Sequence, residues 1–125
     1  QVAYEAEIVS TDLNPDTLYG KIESLRPRLI GAANRGEVRT YEEITNGYSI
    51  VHWSRIGSIL GIIGLLEHRR GNPLLPAVVV KANRGWPGDG FLGLLEAARV
   101  SVPESEKEQR ELWRNHLDLV YEHDW

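Results

Sequence analysis

The stretch Asn72-Pro-Leu-Leu-Pro-Ala-Val-Val-Val-Lys-Ala-Asn-Arg-Gly-Trp-Pro-Gly-Asp-Gly-Phe91 decides how this chain is read. Its first half carries Ala77-Val78-Val79-Val80, apolar without alternation, which predicts a strand over 76–81 covered on both faces. Its second half breaks into a loop over 83–90, where Gly85, Gly88 and Gly90 ask for backbone shapes that other residues resist. A loop so shaped is more than a connector and points to a surface that touches something. Residues 91–99 then read as a helix.

Upstream of the strand, Asn14-Pro15-Asp16 is a helix start, with proline near the first helical position. Leu18, Ile22, Leu25, Leu29 and Ile30 fall at helical spacing, so a first helix over 16–33 is predicted. Pro27 inside it should kink or break it, and Asn34-Arg35-Gly36 ends it. Val38 is a short strand edge. Thr40 and Glu43 form a capping box for a short helix over 41–46. A longer helix begins near His52 or Ser54, with Ile56, Ile59, Leu60, Ile63 and Leu66 at helical spacing. Gly57, Gly61 and Gly64 on that helix suggest close approach of another helix or backbone. His68, Arg69 and Arg70 suit its negative end, and Gly71 follows as a cap. Downstream, Ser101-Val-Pro-Glu104 opens a last helix whose inner face is Leu112, Trp113, Leu119, Val120 and Tyr121.

The expected architecture is therefore α/β and mostly helical. It is one domain over 1–125, with a winged-helix-like core over 20–91, an extension over 1–19 and C-terminal helices over 92–125. The order is helix, capped short helix, longer helix, strand, glycine loop, which is the order of a winged helix-turn-helix. The wing would be the strand and loop, and 53–67 would sit where a recognition helix sits.

A length of 125 residues with 42% apolar content suits one globular core. Cysteine is absent, which excludes disulfides, thiolate metal ligands and cysteine nucleophiles. The nearly apolar run Ile56 to Leu66 is short of the roughly 20 residues of a membrane span. Glu5 and Glu7 argue against a secretory signal, so a cytoplasmic location is expected. The net charge of -4 is unevenly spread, with acidic ends around a mildly basic middle over 20–95. That middle suits phosphate, although an ordinary mixed surface reads the same way.

The run Thr40-Tyr-Glu-Glu-Ile-Thr45 resembles the Thr-Tyr-Gly-Glu-Ile-Ala signature of the alkylguanine-DNA alkyltransferase C-terminal domain and the alkyltransferase-like proteins. Ser54-Arg-Ile-Gly-Ser-Ile-Leu60 is similar to their Ala-Arg-Ala-Val-Gly-x-Ala-Leu segment with one position missing. Asn72-Pro73 resembles their Asn-Pro. The Pro76 strand and Gly88-Asp-Gly90-Phe91 are similar to their Pro-Cys-His-Arg-Val strand and later Gly-Gly-Tyr. The resemblance implies a helix-turn-helix that grips DNA from the minor groove. By position it implies that Tyr41 presses on a backbone phosphate, Arg55 enters the base stack and Asn72 ties the hinge between helix and strand. The nucleophile position is Ala77, with Val78 and Val79 beside it, so the chain cannot accept an alkyl group on sulfur and no enzymatic activity is expected.

The candidate DNA-binding residues are Tyr41, Ser54, Arg55, Lys81, Arg84 and Trp86. Arg55 with Ser54 meets phosphate or a base edge, or is a solvated residue on an exposed face. Tyr41 touches a phosphate, or packs in the core with its hydroxyl outward. Lys81 and Arg84 flank the loop as a basic wing whose phosphate contacts release counterions. Trp86 stacks on a base or folds back onto the domain. His116 and His123 are two turns apart, whereas ligands on one helix are usually three or four residues apart, so no metal site is expected. No phosphate-loop motif is present, and no cofactor is expected. Duplex DNA is the expected partner. The alternatives are a protein-interaction or self-assembling module, as a homo-oligomer, and a small hydrolase or nuclease using Asp89 with a histidine.

Overall fold

The computed structural model describes residues 15–45 and 56–125. In chain order these form α1 (Pro15–Asn34), β1 (Arg39–Thr40), α2 (Tyr41–Thr45), α3 (Ile56–Arg69), a 3-10 helix (Leu75–Val78), β2 (Val79–Val80), α4 (Asp89–Ala97) and α5 (Glu106–Glu122). The described residues are mostly helical, with one short parallel sheet in which Arg39 pairs with Val79 and Thr40 with Val80.

The apolar stretch 75–80 lies at the centre, and every one of its residues is buried. The strand expected over 76–81 is split between a 3-10 turn and β2. Pro76 causes this, because its fixed φ suits a first helical turn and it offers no N–H to a ladder. Ala77 N–H instead donates to Leu74 O at 3.0 Å. Helices α1, α3 and α5 pack around this stretch, and α4 packs on α3. Burial on both faces is what the unbroken apolar run requires. Beyond β2 the chain passes through a turn into α4, so among the described residues no antiparallel hairpin stands where a wing was expected.

Helix α1 starts at Pro15, as its sequence signal requires, and runs through Pro27 without a break. Leu25 and Leu29 are buried on either side of that proline. Core packing of this face holds the helix, as it does for most helices in folded proteins. The helix closes on a Schellman motif, with Glu37 N–H donating to Ala32 O at 3.0 Å and Gly36 N–H to Ala33 O at 3.1 Å. The capping box forms as read from the sequence: Glu43 N–H donates to Thr40 Oγ1 at 3.2 Å, and Thr40 N–H donates to a Glu43 carboxylate oxygen at 2.9 Å. The Thr40 backbone N–H first, and then the Thr40 side chain, hydrogen-bond the Glu43 carboxylate and hold it below its ordinary pKa.

Helix α3 is buried on nearly every side through Ile59, Leu60, Ile62, Ile63 and Leu65. Its glycines divide by role. A Cβ on Gly64 would collide with Leu94 and lie 3.2 Å from Pro76 Cγ, so this glycine admits α4 and the central turn. Gly57 has nothing within 4 Å of such a Cβ. His68 and Arg69 sit in the last turn, and Gly71 closes the helix with a second Schellman motif, Asn72 N–H to Glu67 O at 2.9 Å.

Helix α5 begins after Ser105, not at Ser101, because Pro103 favours extended chain at Val102 and Ser105 Oγ accepts from Glu108 N–H at 3.2 Å. Its inner face is Trp113, Leu117 and Val120, at i, i+4 and i+7. Leu119 lies off that face and is 51% exposed, contrary to the sequence reading. Among the described residues no helix is long and apolar enough to cross a membrane.

Candidate nucleic-acid interface

The parallel register brings two of the expected contact residues to one place. Thr40 pairs with Val80, so the residues that follow, Tyr41 and Lys81, leave the same end of the sheet. Tyr41 opens α2 directly behind its capping box and is half-buried against the core. Burial pushes its phenol above the ordinary pKa, so the hydroxyl stays protonated at neutral pH. It borders a small hollow shared with Pro87 and Gly90.

Lys81 opens a tight turn. Arg84 N–H and Gly85 N–H both donate to Lys81 O, at 3.1 and 2.9 Å, and Lys81 N–H donates to Trp86 O at 3.1 Å. The turn requires positive φ at Gly85 (72°) and Gly88 (77°), where a side chain would be strained. Gly90, by contrast, is an ordinary helical residue of α4. The Lys81 side chain lies across Gly88, with Nζ 3.3 Å from where a Cβ would stand, and is half-buried. Arg84 is exposed. Neither cation forms an ion pair with a carboxylate among the described residues.

Of the two directions open to Trp86 by sequence, the ring takes the inward one. It is 2% exposed, with Arg110 stacked over its ring at 5.3 Å, so the indole is not presented to a base. Burying an indole removes about 150–250 Å² from water, worth about 4–6 kcal/mol at ~25 cal/mol per Å². Stacking on a base is worth about 1–3 kcal/mol. The larger gain takes the ring inward. Ser54 and Arg55 lie outside the described residues.

Two features escaped the sequence reading. The first is Glu67, 1% exposed between α1 and the end of α3. It accepts from Arg26 Nε at 2.5 Å, Asn72 Nδ2 at 2.7 Å and Arg70 at 3.4 Å. Burial alone would raise its pKa, but the bonds from Arg26 and Asn72 and the charges of Arg26 and Arg70 bring it below the ordinary value. Asn72 thus ties the exit of α3 to the carboxylate. The signal was present in sequence, since Glu67 continues the apolar series Ile59, Ile63 at four-residue spacing. The second is a bond of Trp113, a residue already expected on the inner face of the last helix: its indole N–H donates to Ala77 O at 2.8 Å. Ala77 is therefore fully buried, with its carbonyl bonded to α5.

His116 of α5 and His123 just after it are accounted for by packing. His116 meets Phe91 edge-on at 6.2 Å and His123 meets Trp125 at 4.4 Å. Burial lowers the pKa of His116. Among the described residues no group of three or more His, Asp or Glu could hold a metal ion. Asp89 stands in the first turn of α4, where a carboxylate complements the helix dipole.

Comparison of the chain with known protein families, curated proteins and solved structures finds no match.

Proposed function

We propose that the chain is a non-enzymatic duplex-DNA-binding protein of alkyltransferase-like, winged-helix type. The observation that carries this reading is the juxtaposition set by the strand register: Tyr41 and Lys81 leave one sheet end, and the turn that Lys81 opens presents Arg84, with no carboxylate paired to either cation among the described residues. A rigid turn bearing uncompensated cations suits phosphates, which position a protein on a duplex without reading its sequence. The Trp113 bond to Ala77 O supports the non-enzymatic part, because packing fills the place a nucleophile would need. Ser54 and Arg55 extend the interface by sequence position.

The test is a duplex titration of Arg55→Ala/Lys81→Ala/Arg84→Ala across salt concentrations. Affinity should fall at low salt, and the slope of log affinity against log salt should decrease by about one for each phosphate the variant no longer neutralises. Equal affinity and slope in the parent and the triple variant would remove the reading. Self-association is a second reading, favoured by the exposed Leu119 beside a groove that also holds His68 and Val100. Light scattering giving a mass well above one chain, with no DNA retention, would replace the first reading with it.

A further inference from the structure

A hollow of about 310 Å³ lies between the C-terminal half of α1, β1 and α2, away from the 81–88 turn. Its floor is Pro27, Gly31, Ala32 and Ile44, and its rim carries Arg28, Arg35, Arg39 and Glu43. Pro27 and Gly31 share one face of α1, and Arg35 follows four residues on, just past the helix end, with its N–H donating to Gly31 O at 3.3 Å. Proline and glycine inside a helix are unfavourable relative to alanine by about 3 and about 1 kcal/mol. Core packing does not account for them: Pro27 is exposed, and a Cβ on Gly31 would meet nothing within 4 Å. Pro27 and Gly31, both interior to α1, thus lie on the face that borders an arginine-rimmed hollow, and both keep its floor shallow.

The rim is pre-positioned for an anion. Arg28 Nη1 donates to Ile44 O at 3.0 Å, and Arg39 Nη1 donates to Val38 O at 3.0 Å and to Glu37 at 3.1 Å. The guanidinium of Arg35 makes no hydrogen bond or ion pair among the described residues. Among the described residues Glu43 is the carboxylate lining the hollow and already bonds the Thr40 N–H, while Glu37, paired with Arg39 at 3.1 Å, stands beside the rim. The carbonyls of Ala32 and Ala33 at the end of α1 are occupied by the Schellman bonds, which mutes their repulsion of an anion. Three planar forks around an apolar floor match a phosphate attached to a flat apolar body. The volume lies at the lower end of small-ligand pockets, about 300–1,000 Å³.

The geometry points to a nucleotide-phosphate site in this hollow, with Arg28, Arg35 and Arg39 holding the phosphate and Gly31 leaving room for the attached group. The site is separate from Lys81 and Arg84 and does not depend on them. Its phosphate comes from a free mononucleotide or from a polynucleotide.

The test is calorimetric titration of the whole chain with adenosine monophosphate and, separately, with a DNA duplex, repeated for Arg35→Gln and Gly31→Leu. Thermal unfolding checks that both variants remain folded; the Arg35 side chain has no partner to lose among the described residues, and leucine is a better helix former than glycine. The expected result is saturable mononucleotide binding that weakens at least tenfold in both variants and is unchanged in Lys81→Ala/Arg84→Ala. Weakened duplex binding in both variants, with no mononucleotide binding, assigns the phosphate to a polymer. Parent-like binding of both ligands by the two variants, or no binding of either ligand by any form, overturns the site.

Discussion

The seam where α5 meets residues 75–78 and the turn at 81–88 each bury a tryptophan, yet they treat its indole N–H differently. Trp113 donates to Ala77 O at 2.8 Å, whereas the Trp86 N–H is buried with no acceptor among the described residues. An unmade hydrogen bond in the core costs about 1–3 kcal/mol. The seam is therefore saturated with bonds, and Glu67 with its three donors belongs to the same saturated side of the molecule. Among the described residues the turn holds the one buried side-chain donor without an acceptor and keeps two cations without carboxylate partners, so the mismatch falls at the surface proposed for contact.

The largest break in this contrast should come from Glu67. Glu67→Ala strands Arg26 and Asn72 and should lower stability by about 3–5 kcal/mol in urea unfolding. Its folded pKa lies below the unfolded value, so its stabilisation is complete above the ordinary carboxylate range of about 4.3 and is lost as pH falls through the folded value. Unfolding measured from pH 7 down to pH 3 should show that loss, and Glu67→Gln should flatten it. A parent-like pH profile in Glu67→Gln would show that the carboxylate is not the stabilising group.

A smaller effect should separate the tryptophans. Both Trp→Phe changes remove one ring, but only Trp113→Phe leaves a buried carbonyl unpaired. Trp113→Phe should therefore cost about 1–3 kcal/mol more than Trp86→Phe. Equal losses would mean that the orphaned N–H carries no penalty and that the contrast is empty. The smallest effect should come from two glycines on the packed helices. Gly64→Ala, crowded by Leu94 and Pro76, should destabilise by about 1–3 kcal/mol, whereas Gly93→Ala, with open space at its Cβ, should stabilise by about 0.5–1 kcal/mol. Thermal unfolding of the pair would read opposite signs.

Much of the described fold was legible in the sequence because local chemistry agrees with it. Pro15, the Thr40–Glu43 box, the Gly36 and Gly71 caps and the period of α3 each name their element without help from distant residues. What escaped was decided by distant partners. Pro76 turned half of a strand into a 3-10 helix because only two residues of β1 were available to pair. Leu117, not Leu119, faces inward because Trp113 and Val120 set the angle of α5. Of the candidate site, the turn and its cations were visible, but the direction of Trp86 was not, since a loop tryptophan reads the same whether it points to solvent or to core. The arginine hollow was invisible, because its residues come from three elements that meet only in space.

The pairing of Arg39 with Val79 and Thr40 with Val80 has a kinetic corollary. Two bridges join positions some forty residues apart, so closing that loop is entropically expensive relative to the bonds it gains. The clasp should be fastened late in folding, after α1 and α3 have docked, and should be among the first pairings to open. Tyr41 and Lys81 would then come into and out of alignment together, as a single event.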